Sequence, residues 1–374
     1  MNVKVPFNEL LPRSPLGREE TLAAVRSVVD SGQFFFGPET RSFETEFADF
    51  VGVSHAIGVA NGTDALEIAL RALEVGSGDS VLCVANAGGY GSIAVQQVGA
   101  TPHYVDTDPH SLQMLPESLE LAIASAPRKP KSVIVTHLYG AIGQIEEIVA
   151  ICRRHQIFVL EDCAQAIGVL KNGIHAGKFG DIATFSFYPT KNLGGIGDGG
   201  LVATDSGGLA ATVRSLAQYG WGSKYSADLA FGRNSRLDEL QAAVLRKRLK
   251  RIDSVNSSRL DIYQRYLSAA PSLDFAQRGQ KSFNGHLAVL QVPQRKVFQE
   301  FFHQLGVQTA IHYPLPDSWQ PGFLGTSNGI PSSEASCARV VSVPCHEGLD
   351  ERQVDLVSRS LEKFEALQSA SSDD

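Results

Sequence analysis

The chain has 374 residues, of which 43% are hydrophobic and 20% are charged, as in an ordinary folded soluble protein. Its length allows a large core and favours two lobes over one. The formal net charge of −7 argues against a general nucleic-acid-binding protein.

The first residues of the chain do not resemble a targeting signal. The segment Met1–Glu19 is too charged and too interrupted by proline for a signal peptide, and no apolar run approaches the length of a membrane-spanning helix. We therefore expect a cytoplasmic protein with no membrane contact. The five cysteines form no CxxC pair and the ten histidines no HExxH cluster, so we expect reduced cysteines and no bound metal.

Short β-rich runs alternate with amphipathic helical segments between residues 56 and 205, a pattern typical of a mainly parallel sheet covered by helices. The predicted strands are Ala56–Ala60, Ser80–Val84, Pro102–Val105, Ser132–Thr136, Phe158–Leu160, Ala183–Phe187 and Leu201–Thr204. The predicted helices between them include Thr63–Leu73, Gly91–Val98 and Ile145–His155. The fold class is therefore α/β, and the ligands of such sheets bind beyond the carboxyl ends of the strands.

The first of these carboxyl ends has the features of a phosphate site. Asn61-Gly62-Thr63 ends a predicted strand and begins a helix. A helix N-terminus offers free backbone N–H groups and a favourable dipole to an anion. An ordinary capped helix explains the same residues, so this segment alone leaves both interpretations open.

A carboxylate stands at the end of a later strand. Asp162 follows the apolar run Ile157-Phe158-Val159-Leu160, which places its side chain at the same edge of the sheet. An anion there would keep a pyridine nitrogen protonated, as the ring of pyridoxal phosphate requires. Because Asp162 also precedes Ala164-Gln165-Ala166, it is equally suited to be a helix N-cap.

Lys191 is the most informative residue of the chain. It follows the strand-like run Phe185-Ser186-Phe187-Tyr188 and precedes a glycine-rich turn, so a single amine is held on a loop at the sheet edge. Such an amine suits imine formation with a carbonyl, which is how a pyridoxal phosphate enzyme carries its cofactor. Most lysines are only surface charges, so the assignment depends on the neighbouring motifs.

The glycine-rich turn Gly195–Gly200 matches the pattern GxGxxG formally. It precedes a strand, whereas a dinucleotide site joins a strand to a helix. We interpret it as a flexible turn that lets the Lys191 loop approach a cofactor closely.

A long helical stretch follows Arg236 and reaches about Leu267, after which the pattern becomes that of a smaller α+β region. We place the domain boundary near residue 250, which gives a large domain at 1–250 and a small domain at 251–374. A dense basic run on this stretch, between Arg246 and Arg251, is interpreted as a solvated helix face and not as a phosphate site.

Four motifs in this order resemble those of the sugar-nucleotide aminotransferases of the DegT type. They are Asn61–Leu66, Glu161–Ala166, Phe185–Gly200 and Gly232–Ala243, and the resemblance extends from Phe36 to Leu349. It implies the aspartate aminotransferase-like fold of pyridoxal phosphate enzymes, with a seven-stranded, mainly parallel sheet in the large domain and a small C-terminal α+β domain. It also implies a homodimer whose active sites lie at the subunit interface.

The resemblance assigns site residues by position. The implied binding residues for pyridoxal 5'-phosphate are Gly62, Thr63, Tyr90, Asp162, Gln165, Ser186, Lys191 and Asn234. By this resemblance Lys191 carries the cofactor, Asp162 pairs with its pyridine nitrogen, and Asn234 reaches its phosphate from the neighbouring subunit. Many relatives have Thr-Tyr/Phe-Ile where this chain has Ala87-Gly88-Gly89-Tyr90-Gly91, so whether Tyr90 stacks on the cofactor stays open.

The activity that the resemblance implies is transamination. An amino group moves from L-glutamate to a keto sugar linked to a nucleoside diphosphate, with Lys191 as the general acid–base. The segments 86–90 and 218–225 favour the branch that acts on dTDP-3-keto-6-deoxyhexoses, and a 4-keto substrate is the alternative. The residues expected on the sugar side are Tyr219, Trp221, His312 and Tyr313, and each of these aromatics is equally suited to plain packing.

Two other functions stay open. An amino-acid transaminase often holds the substrate carboxylate with an arginine of the small domain, but no arginine occurs between Lys296 and Ala338. A regulator without catalytic activity would keep the fold and the cofactor. The complete set of expected cofactor residues argues against a regulator, so the sequence favours the sugar-nucleotide enzyme.

Overall fold

The computed structural model describes residues 3–10, 15–323, 325–327 and 329–371. Residues 1–2 and 11–14 of the N-terminal segment lie outside the described residues, so the absence of a signal peptide and the cytoplasmic location stay predictions. In the part of the chain that the structure describes, no helix is both long enough and apolar enough to cross a membrane.

The strands and helices alternate along the first two thirds of the chain. The strands are β1 (His55–Val59), β2 (Ser80–Val84), β3 (Thr101–Val105), β4 (Ser132–Thr136), β5 (Phe158–Asp162), β6 (Leu170–Lys171), β7 (Ile174–His175), β8 (Ile182–Ser186), β9 (Gly200–Thr204), β10 (Trp221–Ser223), β11 (Ser226–Ala227), β12 (Ala288–Gln291), β13 (Thr326–Ser327) and β14 (Val340–Val343). The helices are α1 (Pro15–Ser31), α2 (Pro38–Val51), α3 (Gly62–Ala72), α4 (Tyr90–Gln97), α5 (Pro116–Ser125), α6 (Ile145–His155), α7 (Gly207–Leu216), α8 (Glu239–Leu249), α9 (Ile252–Ala269), α10 (Arg295–Gln304), α11 (Pro331–Arg339) and α12 (Glu351–Ser371).

A mainly parallel sheet forms the centre of the fold, with the strand order β1-β9-β8-β5-β4-β2-β3-β13. Only β9 runs against its neighbours β1 and β8, and the other pairs are parallel. The α/β prediction is confirmed, and each of the seven predicted strands lies within two residues of its predicted bounds. Within the described residues the sheet has eight strands and not seven, because the two-residue strand β13 pairs with β3 at the edge.

Both faces of this sheet are covered by apolar side chains. In β2, Leu82 and Val84 belong to one buried cluster with Phe43 and Phe47 of α2, whereas Val81 belongs to a second cluster on the other face. Alternation of this kind follows from the two-residue period of a strand. Burying one such large side chain stabilises the folded state by about 1.5–3 kcal/mol. The clusters therefore hold the strands, and with them the loops at the sheet edge, in place.

Helix α8 anchors the start of α2, and its contacts correct one interpretation of the sequence. The carboxylate of Glu239 accepts hydrogen bonds from the N–H groups of Gly37, Glu39 and Thr40 and so caps α2. The basic run of α8 is only partly solvated, because Arg246 forms ion pairs with Glu39 at 2.8 Å and with a second glutamate of α2 at 2.5 Å.

The C-terminal part has its own core, although its short strand β13 joins the edge of the large sheet. Strands β12 and β14 pair antiparallel, and a buried cluster with Tyr263, Phe298 and Leu361 packs helices α9, α10 and α12 against them. The predicted long helix is interrupted at residues 250–251, between α8 and α9. The division into domains near residue 250 stays a prediction.

Candidate active site

A cavity of about 610 Å³ opens at the carboxyl edge of the sheet. The predicted site residues that line it are Gly62, Thr63, Tyr90, Asp162, Gln165, Ser186, Lys191, His312 and Tyr313. They come from the ends of β1, β5 and β8, from the start of α4 and from the C-terminal part of the chain. The structure therefore brings together residues that are far apart in the sequence, such as Gly62 and Tyr313.

Lys191 lies on the loop after β8, and its backbone N–H donates to the carbonyl of Tyr188 at 2.8 Å. Burial lowers the pKa of the Lys191 amine from 10.5 to about 8, and the negative charge of Asp162 opposes this effect. A lysine with this pKa is partly neutral in mildly alkaline solution, so it is a better nucleophile than a surface lysine.

The glycine turn after Lys191 is held in place by two side chains of α8. Arg248 of α8 donates to the carbonyls of Gly194 at 2.5 Å and Gly195 at 3.1 Å, and Gln241 accepts from the N–H of Ile196 at 2.8 Å. A Cβ on Gly194 would lie 2.5 Å from the carbonyl oxygen of Pro189. Close packing therefore explains these glycines better than the flexibility that the sequence suggested.

Asp162 is the last residue of β5 and is buried. Its carboxylate accepts from the N–H of Ala164 at 3.1 Å and from Thr136 Oγ1 at 3.3 Å. Burial raises the pKa of Asp162, although these donors and the charge of Lys191 act in the opposite direction. The alternative of a helix N-cap is wrong, because residues 163–169 form turns and not a helix.

A buried hydrogen bond supports β5 next to Asp162. His137 Nε2 lies 2.9 Å from Glu161 Oε2, and three backbone N–H groups between Gly177 and Gly180 donate to the same carboxylate. His137, Glu161 and Cys163 are residue types that can bind a metal, and one possible ligand atom of each lies within 4.8 Å of the others. The Glu161 oxygens already accept hydrogen bonds, and burial raises the pKa of the Cys163 thiol, so the cluster fits a structural support better than a metal centre.

The turn at the start of α3 forms a narrow concave surface in the cavity. Asn61 caps α3 by accepting from the N–H of Asp64 at 2.8 Å, and Gly62 is the first helical residue. A Cβ on Gly62 would lie only 2.8 Å from Ser186 Cβ. The N-terminus of α3 and the hydroxyls of Thr63 and Ser186 therefore share a space in which a phosphate group fits.

Tyrosine rings line the opposite side of the cavity. Gln165 Nε2 donates to the hydroxyl of Tyr313 at 3.2 Å, and Gln165 Oε1 accepts from the N–H of Tyr139 at 2.5 Å. Tyr90, the first residue of α4, is 47% exposed and meets Tyr313 edge to face, with 6.3 Å between ring centroids. Tyr90 is thus in the cavity, but its stacking on a cofactor stays a prediction.

Two histidines enter the cavity from the C-terminal part. His312 Nδ1 lies 2.9 Å from Ser342 Oγ, and burial together with the charge of Lys191 lowers the pKa of His312 to about 4. His286 was missed by sequence reasoning, and its Nδ1 lies 2.8 Å from Asn192 Oδ1. Burial and the charge of Lys191 lower the pKa of His286 as well, so both rings are neutral at physiological pH.

The remaining predicted residues, Tyr219, Trp221 and Asn234, do not line the cavity. They lie on the segment 217–236, where Asn234 is exposed and bridges to Gln218, and where the rings of Tyr219 and Trp221 lie 4.9 Å apart. Three more large apolar side chains of this segment are exposed, namely Tyr225, Leu229 and Phe231. The neighbouring residues Phe34, Phe35 and Phe36 of the N-terminal part are exposed as well. An exposed aromatic set of this size is typical of an interaction surface.

Comparison with known proteins agrees with this geometry. The model of the DegT/DnrJ/EryC1/StrS aminotransferase family matches residues 15–362. The chain is 36% identical over 357 residues to a UDP-N-acetyl-3-dehydro-alpha-D-glucosamine 3-aminotransferase of Acidithiobacillus ferrooxidans, covering 94% of this chain and 96% of that protein. It is 36% identical over 365 residues to a dTDP-3-amino-3,4,6-trideoxy-alpha-D-glucose transaminase of Streptomyces venezuelae, covering 94% and 93% of the two chains.

A solved structure shows the same likeness in three dimensions. The structure of S. venezuelae DesV in complex with a ketimine intermediate superposes with a TM-score of 0.92 at 35% identity and covers 98% of this chain and 99% of that one.

Proposed function

The chain belongs to the DegT/DnrJ/EryC1/StrS aminotransferase family, and on that premise we propose that it is a pyridoxal phosphate-dependent aminotransferase of nucleotide-linked keto sugars. The observation that supports this function best is the meeting of Lys191, Asp162 and the Gly62 turn in one cavity. An amine, a buried carboxylate and a phosphate-sized concave surface are the three groups that this chemistry requires.

The residues present fit pyridoxal phosphate. The space beside Gly62 that a Cβ would fill is bordered by the Ser186 side chain and by the N-terminus of α3, where phosphate oxygens find N–H and O–H donors. Asp162 is buried and its pKa is raised, so it gains from a cationic partner such as a protonated ring nitrogen. When bound, the cofactor accepts the amino group of the donor and passes it to the ketone, with its ring as the electron sink.

Each residue of the chain then has a definite task. Lys191 is the amine that would hold the aldehyde group of the cofactor and, when free, would move a proton at the substrate carbon as general acid–base. Asp162 would hold a proton on the ring nitrogen of the bound cofactor. The neutral ring of His312 and the hydroxyl of Tyr313 lie on the side of the cavity where the sugar is expected.

Carbon 3 of the sugar is the proposed site of amination. The two relatives described above are named for amination at carbon 3, one with a UDP-linked and the other with a dTDP-linked sugar. These names support a 3-keto sugar on a pyrimidine nucleotide more than the 4-keto alternative. L-glutamate is the proposed amino donor, by the same family resemblance.

A homodimer with shared active sites completes the proposal. Large aromatic side chains of the segments 34–36 and 219–231 are exposed in the single chain, and a second copy of the chain would cover them. Asn234 belongs to the same segment and lies outside its own cavity, so it is available to the phosphate of the partner.

The test of the function is a substrate panel. We expect the purified protein, loaded with pyridoxal phosphate and given L-glutamate, to aminate dTDP- or UDP-linked 3-keto sugars, with the product identified by mass spectrometry and NMR. The Lys191→Ala variant is the control. If the protein prefers a 4-keto sugar, the proposed amination at carbon 3 is wrong and carbon 4 is the site. Turnover of amino-acid keto acids alone, or binding without any turnover, would favour the amino-acid transaminase or the regulator.

A further inference from the structure

A segment of the C-terminal part crosses back over α4 to the large sheet. This segment, called the strap below, comprises residues 313–323 and 325–327. It is fastened at its far end, where Thr326 Oγ1 lies 2.6 Å from His103 Nδ1 and Gln96 Nε2 donates to the carbonyl of Gly322 at 3.2 Å. Its last residues form β13 and pair with β3. The strap is therefore held on the sheet edge beside the active-site cavity.

Two aromatic rings of the strap occupy the space beside the turn that precedes Tyr90. Gly88 has a φ of +77°, and a Cβ there would lie 2.7 Å from Cε1 of Tyr313. Gly89 has a φ of +84°, and a Cβ there would lie 2.8 Å from Cζ of Phe323. Both positions thus require glycine for their backbone conformation and for their contact with the strap.

Asp317 connects the strap to both ends of this turn. Its side chain is only 1% exposed, and its Oδ2 accepts from Ser92 Oγ of α4 at 2.5 Å. Its backbone N–H donates to the carbonyl of Ala85, which follows β2, at 2.8 Å. No hydrogen bond of ordinary geometry reaches Asp317 Oδ1 from the described residues, so a buried carboxyl is kept here at an energetic cost.

We propose that Asp317 is a positioning residue that, together with the rings of Tyr313 and Phe323, fixes the Gly88-Gly89 turn and so sets where Tyr90 stands in the cavity. The two glycines of the turn have no side chains with which to pack against the sheet, so the rings of the strap supply that packing. The inference rests on the proposed function insofar as Tyr90 is taken to face the cofactor.

The titration of Asp317 makes this contact depend on pH, which can be measured. Burial raises the pKa of Asp317 to about 7, although Ser92 and the nearby N–H of Gly89 oppose the shift. The titratable groups that face it are Cys83, Tyr104 and Cys337, and burial raises the pKa of each of them as well. Because the pKa is raised in the fold, the stabilising contribution of protonated Asp317 is complete below about pH 4 and is lost as the pH rises through about 7.

The experiment measures hydrogen exchange of residues 85–97 and the affinity for pyridoxal phosphate in the full-length protein. In Asp317→Ala we expect exchange in this segment to be about tenfold faster and the cofactor to bind several-fold more weakly, because Ser92 loses its acceptor. Asp317→Asn keeps an acceptor for Ser92, so we expect protection close to that of the parent, without its change between about pH 6 and 8. Asp106→Ala is the matched control, since this carboxylate caps α11 and not α4.

The outcomes separate the positioning role from general destabilisation. If exchange in residues 85–97 is unchanged in Asp317→Ala, or rises equally in Asp106→Ala, Asp317 does not hold the turn. If Asp317→Ala does not fold, Ser92→Ala removes the same contact from the other side, and unchanged exchange there overturns the proposal too. A parent protein that binds no pyridoxal phosphate would contradict the proposed function, whereas the exchange data would still decide the role of Asp317.

Discussion

Lys191 and Asp162 carry opposite charges in one buried site, and each alters the titration of the other. Burial lowers the pKa of the amine and raises that of the carboxyl, while the attraction between the two charges acts against both shifts. The balance leaves an amine with a pKa of about 8 beside a carboxyl that lacks a full counter-charge. Such a pair is ready to receive an aldehyde and a ring nitrogen.

The lowered pKa predicts how cofactor capture depends on pH. Because only the neutral amine attacks an aldehyde, the rate at which the protein without cofactor takes up pyridoxal phosphate should rise with pH and level off above about 8. Stopped-flow absorbance between about pH 6 and 10.5 measures this rate, a range that spans the lowered and the ordinary pKa of a lysine. Lys191→Ala should show no borohydride-trapped adduct. A rate that continues to rise to the alkaline end of this range, or an adduct on another lysine, contradicts the assignment.

A second prediction concerns Asp162. Asp162→Asn keeps the size of the side chain but removes the charge that is proposed to hold a proton on the ring nitrogen. We expect a folded protein whose turnover is on the order of 10² to 10⁴ slower, as when a charged or acid–base group is removed. Steady-state kinetics measure the loss, with circular dichroism as the check on folding. If the turnover rate of Asp162→Asn is within a few-fold of that of the parent, the charge of Asp162 is not needed for catalysis.

The site residues that could be predicted from the sequence are those that a local sequence pattern marks. Lys191 and Asp162 each follow an apolar strand, so their place at the sheet edge is a consequence of strand direction. His286 and Arg248 have no such signal. They reach the site only through packing of the C-terminal part and of α8, which no local periodicity records.

At the scale of elements, the turn between β1 and α3 is the most constrained part of the site. It is pressed from one side by Ser186 of β8 and from the other by β9, where a Cβ on Gly200 would lie 2.3 Å from the carbonyl oxygen of Asn61. The antiparallel strand β9 therefore lies directly behind the surface proposed for the phosphate. This contact explains why the glycine turn after Lys191 ends in a further glycine.

The same crowding yields a prediction about Gly62. Gly62→Ala places a methyl group 2.8 Å from Ser186 Cβ, in the space proposed for the phosphate, so we expect affinity for pyridoxal phosphate to fall by at least about tenfold. Fluorescence titration measures it. Gly76→Ala is the matched control, because a Cβ there meets nothing within 4 Å. Equal affinity of both variants would remove Gly62 from the phosphate site.

At the scale of the whole molecule, the seven central strands could be predicted from the sequence, but the edge strand β13 could not. The seven long strands have clear runs of apolar and β-branched residues, which local propensity and flanking turns locate. Strand β13 has two residues, and its place beside β3 depends on the path of the strap from α10 back across α4. Contacts of that range are decided by the packed fold and not by the segment itself.

The proposed interface is also braced from within the subunit. Arg233, next to Asn234, forms ion pairs with Asp64 at 3.1 Å and with the buried Glu67 at 2.6 Å, both on α3. Helix α3 begins at the Gly62 turn, so the segment that carries Asn234 is fixed to the helix that borders its own cavity. A second copy would therefore meet a preformed surface, which lowers the entropic cost of association.

If each site takes Asn234 from its neighbour, two inactive chains should restore activity when mixed. Lys191→Ala lacks the amine, and Asn234→Asp sets a carboxylate against the phosphate, a repulsion of roughly 1–3 kcal/mol in a partly buried site. In a mixed dimer one site has both an intact Lys191 and the partner's intact Asn234, while the other site has neither. We therefore expect partial recovery of transamination in the mixture and none in either variant alone, measured after subunit exchange has been verified by native mass spectrometry. Exchange without recovery, or normal cofactor affinity in Asn234→Asp, would show that the sites are not shared.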